Sequence, residues 1–125
     1  MMKIAVSYDK GSVFEHFGKT ENFKIYEIVD NKIINSYILN NGGITHCALI
    51  DLLKDNGINC LICGHLGYGA VSKLNSYNIK LYAGVSGSAD KAITDLLDNK
   101  LVYDNDTLCE EEHTITCKDD IRRVF

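Results

Sequence analysis

Short apolar runs and segments of helical periodicity alternate along this chain. Three runs near the start, residues 3–8 (KIAVSY), 23–29 (FKIYEIV) and 32–39 (KIINSYIL), predict strands because they are short and rich in β-branched and aromatic residues. The second and third runs flank Asp30-Asn31, and two residues that tolerate positive φ between such runs predict a tight hairpin.

After residue 40 the hydrophobic period changes to that of a helix. Residues 45–57 (THCALIDLLKDNG) predict a helix with Thr45 as its N-cap and Gly57 at its end. Residues 58–63 (INCLIC) and 79–84 (IKLYAG) predict buried strands. Residues 64–74 (GHLGYGAVSKL) predict a glycine-rich turn that passes into a second helix. Residues 86–100 (SGSADKAITDLLDNK) predict a third helix, capped by Ser86 or Ser88.

The resulting order, β-β-β-α-β-α-β-α, indicates an α/β fold with right-handed crossovers. If the first three strands form an antiparallel meander, the first and third strands run parallel to the two later ones. Four connections then open at one edge of the sheet: the loop after the first strand and the turns GGITHC, CGHLGYG and AGVSGSA. Ligands of open α/β sheets bind at this carboxyl edge, so we expect the binding site there.

Composition narrows the functional classes. Apolar residues make up 46% of the chain and charged residues 24%, as in a folded globular protein. The net charge of −4, without a cluster of Lys and Arg, argues against nucleic-acid binding. We expect no membrane contact, because no apolar run is long enough, and a cytosolic location with five free thiols, because no secretory signal is evident.

Glycines are concentrated in the turns of the carboxyl edge. Glycine allows a ligand to approach the backbone, and a helix N-terminus beyond it presents N–H groups to an anion. The alternative is that these are only tight turns between strands and helices. The predicted ligand-binding set is Gly18, Gly43, Gly64, Gly67, Gly69 and Gly87.

Metal-ligating side chains share the same edge. His16, His46 and His65 are far apart in the sequence, but all three follow strands whose ends meet there, with Cys47 next to His46. Imidazole and thiolate bind iron, copper, zinc and iron–sulfur clusters, but no strong spacing such as CxxC is present. Each could instead have an ordinary structural role. We predict no catalytic residue, since neither a nucleophile motif nor a group of converging acids is found.

The C-terminal segment, residues 104–125, is acidic and contains CEEEHTITC. Cys109, His113 and Cys117 are spaced four apart, which on a helix would place them on one face. The alternative is a solvated acidic tail, and we expect it to be loosely ordered. The predicted domain is therefore residues 1–103.

The segments KIAVSYD, SVFEHFGKTENFKIYEI, GGITHC, ICGHLGYGAVSKL and AGVSGSADKAI together resemble the dinitrogenase iron–molybdenum cofactor family. This family includes small stand-alone domains similar to the cofactor carrier NifX and to the C-terminal part of NifB. The resemblance runs from about residue 2 to residue 100, and the HFG element is its most specific part.

The resemblance implies a three-layer, ribonuclease H-like α/β/α fold with a five-stranded mixed sheet. It also implies that the protein carries an iron–sulfur or molybdenum-containing cluster, without catalysis, between donor and acceptor proteins. By position, His16 and His46 become the leading metal ligands, whereas His65 departs from the Gly-Met found in many members. Two rival functions are a metal-free nucleotide- or anion-binding module and an adaptor for a partner enzyme.

Overall fold

The structure, a computed structural model, describes residues 2–43 and 48–103. Within these ranges the chain forms six strands, three α-helices and one 3₁₀ turn. The strands are β1 (Met2–Asp9), β2 (Ser12–Val13), β3 (Asn22–Val29), β4 (Lys32–Asn40), β5 (Cys60–Ile62) and β6 (Lys80–Tyr82). The helices are α1 (Ala48–Asp55), α2 (Tyr68–Ser76) and α3 (Ala89–Leu97), and the 3₁₀ turn is Phe17–Lys19.

The sheet is mixed and has the order β4-β3-β1-β5-β6. β1 and β4 are each antiparallel to β3, whereas β5 and β6 run parallel to β1. The predicted meander and the parallel direction of the later strands are therefore confirmed. The hairpin between β3 and β4 turns at Asp30 and Asn31, which have φ of 53° and 64°, as the sequence predicted.

The strand β2 was not predicted, and it brings the strand count to six. Ser12 and Val13 fold back on Asp9 and Tyr8 in antiparallel register. Lys10 and Gly11, both at positive φ, form the two-residue turn between them. Two residues are too few to show alternation of apolar and polar positions, so the pattern could not reveal this strand.

Two apolar clusters cover the two faces of the sheet and give the three-layer α/β/α arrangement. One lies under α1 and α2, where Leu49, Leu53 and Leu74 are completely buried. The other lies under α3 and includes Ala92 and Ile93. Every helix of the described ranges is eight or nine residues long, and none could cross a bilayer.

Two helix ends follow the signals read from the sequence. Ser88 is the N-cap of α3, and its side chain accepts a hydrogen bond from the Lys91 N–H at 3.2 Å. Gly57, at φ 73°, follows the last turn of α1. The predicted cap Thr45 lies outside the described residues, as does the tail from residue 104.

Candidate functional site

The loop that carries His16 is anchored on both sides. Before it, the Phe14 N–H donates to the carbonyl oxygen of Ser7 (2.8 Å), and the Ser7 hydroxyl donates to the carbonyl oxygen of Phe14 (3.0 Å). After it, Phe17 is 1% exposed and packs on Phe23 at a ring-centroid distance of 5.9 Å. Because its neighbours are fixed in the core, His16 is presented at a defined position, with its own side chain only partly buried.

The turn after β5 is joined to this loop by backbone hydrogen bonds. The Phe17 N–H donates to the carbonyl oxygen of His65 (2.9 Å), and the His65 N–H donates to that of Glu15 (2.6 Å). These bonds form an isolated parallel bridge between His16 and His65. The imidazole centroids are 6.3 Å apart, and the ring planes are inclined by 37°. Two of the predicted metal ligands, 49 positions apart in the sequence, are thus brought together.

Gly64 makes this close approach possible. A Cβ atom at this position would clash with the carbonyl oxygen of Glu15 and would lie 2.8 Å from its Cα. Both atoms belong to the backbone, so no side-chain rotation could relieve the contact. Glycine is required here because two loops pack backbone to backbone, which accounts for Gly64 without reference to a ligand.

A third loop, after β6, completes the arrangement. The Gly84 N–H donates to the carbonyl oxygen of Gly64 (2.8 Å), and the Val85 N–H donates to that of Cys63 (3.1 Å). The Val13 N–H donates to the carbonyl oxygen of Gly87 (2.8 Å). We call the three joined loops, residues 13–17, 63–66 and 84–87, the locked corner. They border an open cavity of about 430 Å³, which is lined by Val13, Glu15, Gly64, His65, Gly84, Val85 and Ser86.

Some backbone N–H groups of the glycine-rich turns are used within the protein. Those of His65, Gly84 and Val85 donate to carbonyl oxygens of neighbouring loops. None of the three belongs to the predicted ligand-binding glycines, whose role stays a prediction. The side chains of His65, Glu15 and Ser86 are left as the polar groups that can line the cavity.

The other predicted ligand-binding glycines occupy several places. Gly18 is buried in the 3₁₀ turn, and Gly43 lies in the turn after β4. Gly67 is the N-cap of α2 and Gly69 is buried in its first turn, while Gly87 precedes α3. Only Gly64 of the six lines the cavity.

His46 and Cys47, together with Cys109, His113 and Cys117, lie outside the described residues. Within residues 2–43 and 48–103, no group of three or more His, Cys, Asp or Glu side chains converges as a metal site. The described part of the chain therefore offers a metal two imidazoles. Cys63, which directly follows β5, is completely buried in the core.

The pattern of the sequence did not reveal Glu15, Val13 and Ser86 as parts of the site. Glu15 holds His65 through its carbonyl oxygen, and its side-chain type leaves no signal of that contact. The only available clue was Gly64, since a glycine directly after a buried strand marks a place where another backbone can approach closely.

Comparison with known proteins places the fold and the family. The model of the family described as dinitrogenase iron-molybdenum cofactor matches residues 1–99. The protein MJ0580 of Methanocaldococcus jannaschii is 32% identical over 109 residues, which cover 81% of this chain and 90% of the relative.

Two solved structures share the fold. The crystal structure of PH0822 superposes with a TM-score of 0.78 at 25% identity, covering 84% of this chain and 96% of that one. The apo form of the orange protein of Desulfovibrio gigas gives a TM-score of 0.71 at 23% identity, covering 84% and 94%. Because the family model covers most of the chain, the chain belongs to the dinitrogenase iron-molybdenum cofactor family.

Proposed function

We propose that the protein binds a metal–sulfur cluster, of the iron–sulfur or iron–molybdenum type, as cargo and transfers it from a donor to an acceptor protein without catalysing a reaction. The observation that carries this proposal is the pairing of His16 with His65 beside an open cavity in the locked corner. The family name, which refers to an iron-molybdenum cofactor, supports the same class of cargo.

The donor set suits such cargo. Imidazole nitrogen is a good ligand for iron and other first-row metals, and both rings are partly exposed to solvent. A structural metal site is usually closed by four protein ligands, whereas two protein ligands leave positions for groups that belong to the cargo. An open site of this kind favours exchange over permanent retention.

The remaining predicted residues have supporting roles in this proposal. His46 and Cys47 would supply further ligands from the connection after β4. Gly67 at the start of α2 and Gly87 before α3 would place helix N-termini toward the anionic periphery of the cluster. Gly18, Gly43 and Gly69 would allow close approach of the backbone.

The test is anaerobic reconstitution of the full chain with iron and sulfide, with and without molybdate. The visible spectrum and the native mass are recorded together for the wild type, His16→Ala and His113→Ala. We expect a defined gain in mass with charge-transfer absorption, lost in His16→Ala and kept in His113→Ala. Circular dichroism shows whether the variants remain folded.

Three other results would contradict the proposal. Uptake that is lost only in His113→Ala would assign the metal to the C-terminal segment. A phosphate or nucleotide bound equally by the wild type and His16→Ala, without metal uptake, would favour the anion-binding module. Capture of a partner enzyme that depends on residues 104–125, without any uptake, would favour the adaptor.

A further inference from the structure

His16 and His65 are held at a fixed separation by the backbone. The two hydrogen bonds between residues 15–17 and His65 span 2.6 and 2.9 Å, and Gly64 permits the contact. We propose that the two imidazoles together chelate one divalent first-row metal ion, so that His65 is a ligand equal in rank to His16. This inference extends the proposed function by naming the two ligands. It rests on the proposed function only in that the natural cargo is taken to be a metal–sulfur cluster.

The distance between the rings supports chelation. For metal–nitrogen bonds of about 2.0–2.1 Å, two imidazole centroids bound to one ion lie about 5 Å apart at a tetrahedral angle and about 6.5 Å apart when linear. The observed separation is 6.3 Å. The observed separation lies just below the linear value, and a tetrahedral pair would require the two rings to approach each other by roughly 1 Å.

The backbone bridge makes such chelation favourable. Both residues already have their backbone hydrogen bonds, so metal binding has to order only two side chains rather than two loops. A second ligand held at short range acts at high effective concentration, which raises affinity by about 100-fold or more over a single imidazole.

The cavity beside His65 leaves room for a ligand carried by the metal. Glu15 contributes its carbonyl oxygen to the bridge while its side chain is exposed, and the cavity next to His65 is large enough for a ligand bigger than a single ion. An ion held by two imidazoles at the rim of this cavity would keep its open positions directed to a bound group. This arrangement fits a cargo metal that arrives with its own ligands.

Zn²⁺ is the probe, because it is diamagnetic and accepts imidazole readily. The full chain, uniformly labelled with ¹⁵N, is titrated with Zn²⁺ while long-range ¹H–¹⁵N spectra record the imidazole nitrogens of all four histidines. We expect the resonances of His16 and His65 to shift with a common dissociation constant. That constant should rise by about 100-fold in both His16→Gln and His65→Gln, and stay unchanged in the matched variant His113→Gln.

Two results would contradict chelation by both imidazoles. A shift confined to His16, with wild-type affinity in His65→Gln, would leave a single-imidazole site. The absence of Zn²⁺ shifts at both rings in the folded wild type would show that the geometry does not chelate.

The two proposals fail separately. Iron and sulfide uptake that persists in His65→Gln would contradict chelation by the pair but keep the carrier function. Chelation of Zn²⁺ by both rings in a protein that takes up no cluster would support the pair and contradict the carrier function.

Discussion

The locked corner and the strand β4 lie in the same sheet, yet they are held in opposite ways. In the locked corner three loops share backbone hydrogen bonds and pack so closely that one position accepts only glycine. β4 is a nine-residue strand at the end of the sheet, paired within the described residues to β3 alone. Its apolar side chains Ile34 and Ile38 are 58% and 49% exposed.

This difference shows that the number of apolar residues in a segment does not by itself indicate how firmly the segment is packed. β4 contains five apolar residues among its nine, but only Tyr37 and Leu39 pack against the core. The locked corner contains glycine, serine and histidine, yet its loops are fixed by backbone hydrogen bonds and by a few buried side chains such as Phe17 and Leu66. We therefore expect substitutions to be costly in the corner and nearly neutral on the exposed face of β4.

The largest expected effect comes from Leu66→Ala. Leu66 directly follows His65 and is completely buried, so its truncation leaves a cavity and should lower the free energy of unfolding by about 2–5 kcal/mol. The matched substitution Ile38→Ala removes a half-exposed side chain from β4 and should cost less than about 1 kcal/mol. Urea unfolding followed by circular dichroism measures both. Equal losses in the two variants would show that β4 is packed in solution.

The second largest effect is the difference in stability between alanine substitutions at two glycines. Gly64→Ala forces a methyl group against the Glu15 backbone and should cost about 1–3 kcal/mol. It should also separate the loops that carry the two imidazoles. Gly42→Ala, in the turn after β4, meets no atom within 4 Å, and only the strain of φ 65° opposes it, at about 1 kcal/mol.

The readout that distinguishes these variants is local. Amide hydrogen exchange at Phe17 and His65 reports the bridge directly, since these N–H groups form it. We expect exchange at both amides to be much faster in Gly64→Ala and unchanged in Gly42→Ala. Protected amides in Gly64→Ala would mean that the two backbones can move apart without opening the bridge.

The sequence predicted the sheet because its information is local and periodic. The apolar runs, the turn at Asp30-Asn31 and the cap Ser88 all appear where expected. Topology alone also placed His16 and His65 at one edge. The topology could not predict that the two loops would be bonded to each other, because the bonds are made by backbone carbonyl and N–H groups, which are not specific to a residue type. The strand β2 and the 3₁₀ turn escaped for a related reason, since each is too short for a periodic pattern.

The smallest expected effect is on the loss of stability in acid. It should come from two carboxylates, one on each face of the sheet, rather than from the locked corner or β4. On one face Asp51 of α1 accepts hydrogen bonds from Tyr77 (2.6 Å) and Lys73 (2.8 Å). On the other face Asp90 of α3 accepts them from Tyr26 (2.6 Å) and Lys24 (2.9 Å). Neither carboxylate belongs to the locked corner or to β4.

Both carboxyl groups titrate below their usual range. Hydrogen bonds from Tyr26 and then from Lys24 lower the pKa of Asp90. Burial acts to raise the pKa of Asp51, but hydrogen bonds from Lys73 and Tyr77 outweigh it and lower the pKa. A lowered pKa in the folded state stabilises the protein above the unfolded value of about 3.9, and this contribution is lost as the pH falls through the folded value.

Asp51→Asn and Asp90→Asn should each lower the free energy of unfolding at pH 7. The loss should not exceed about 0.5 kcal/mol, because the Asp51 side chain is about half exposed and that of Asp90 mostly exposed. Each variant should also lose less stability than the wild type between pH 5 and pH 3. Urea midpoints at a series of pH values, with Asp98→Asn as an exposed control, measure the difference. A wild-type pH profile in both variants would mean that other carboxylates cause the acid sensitivity, and that the two tyrosine contacts contribute only as neutral hydrogen bonds.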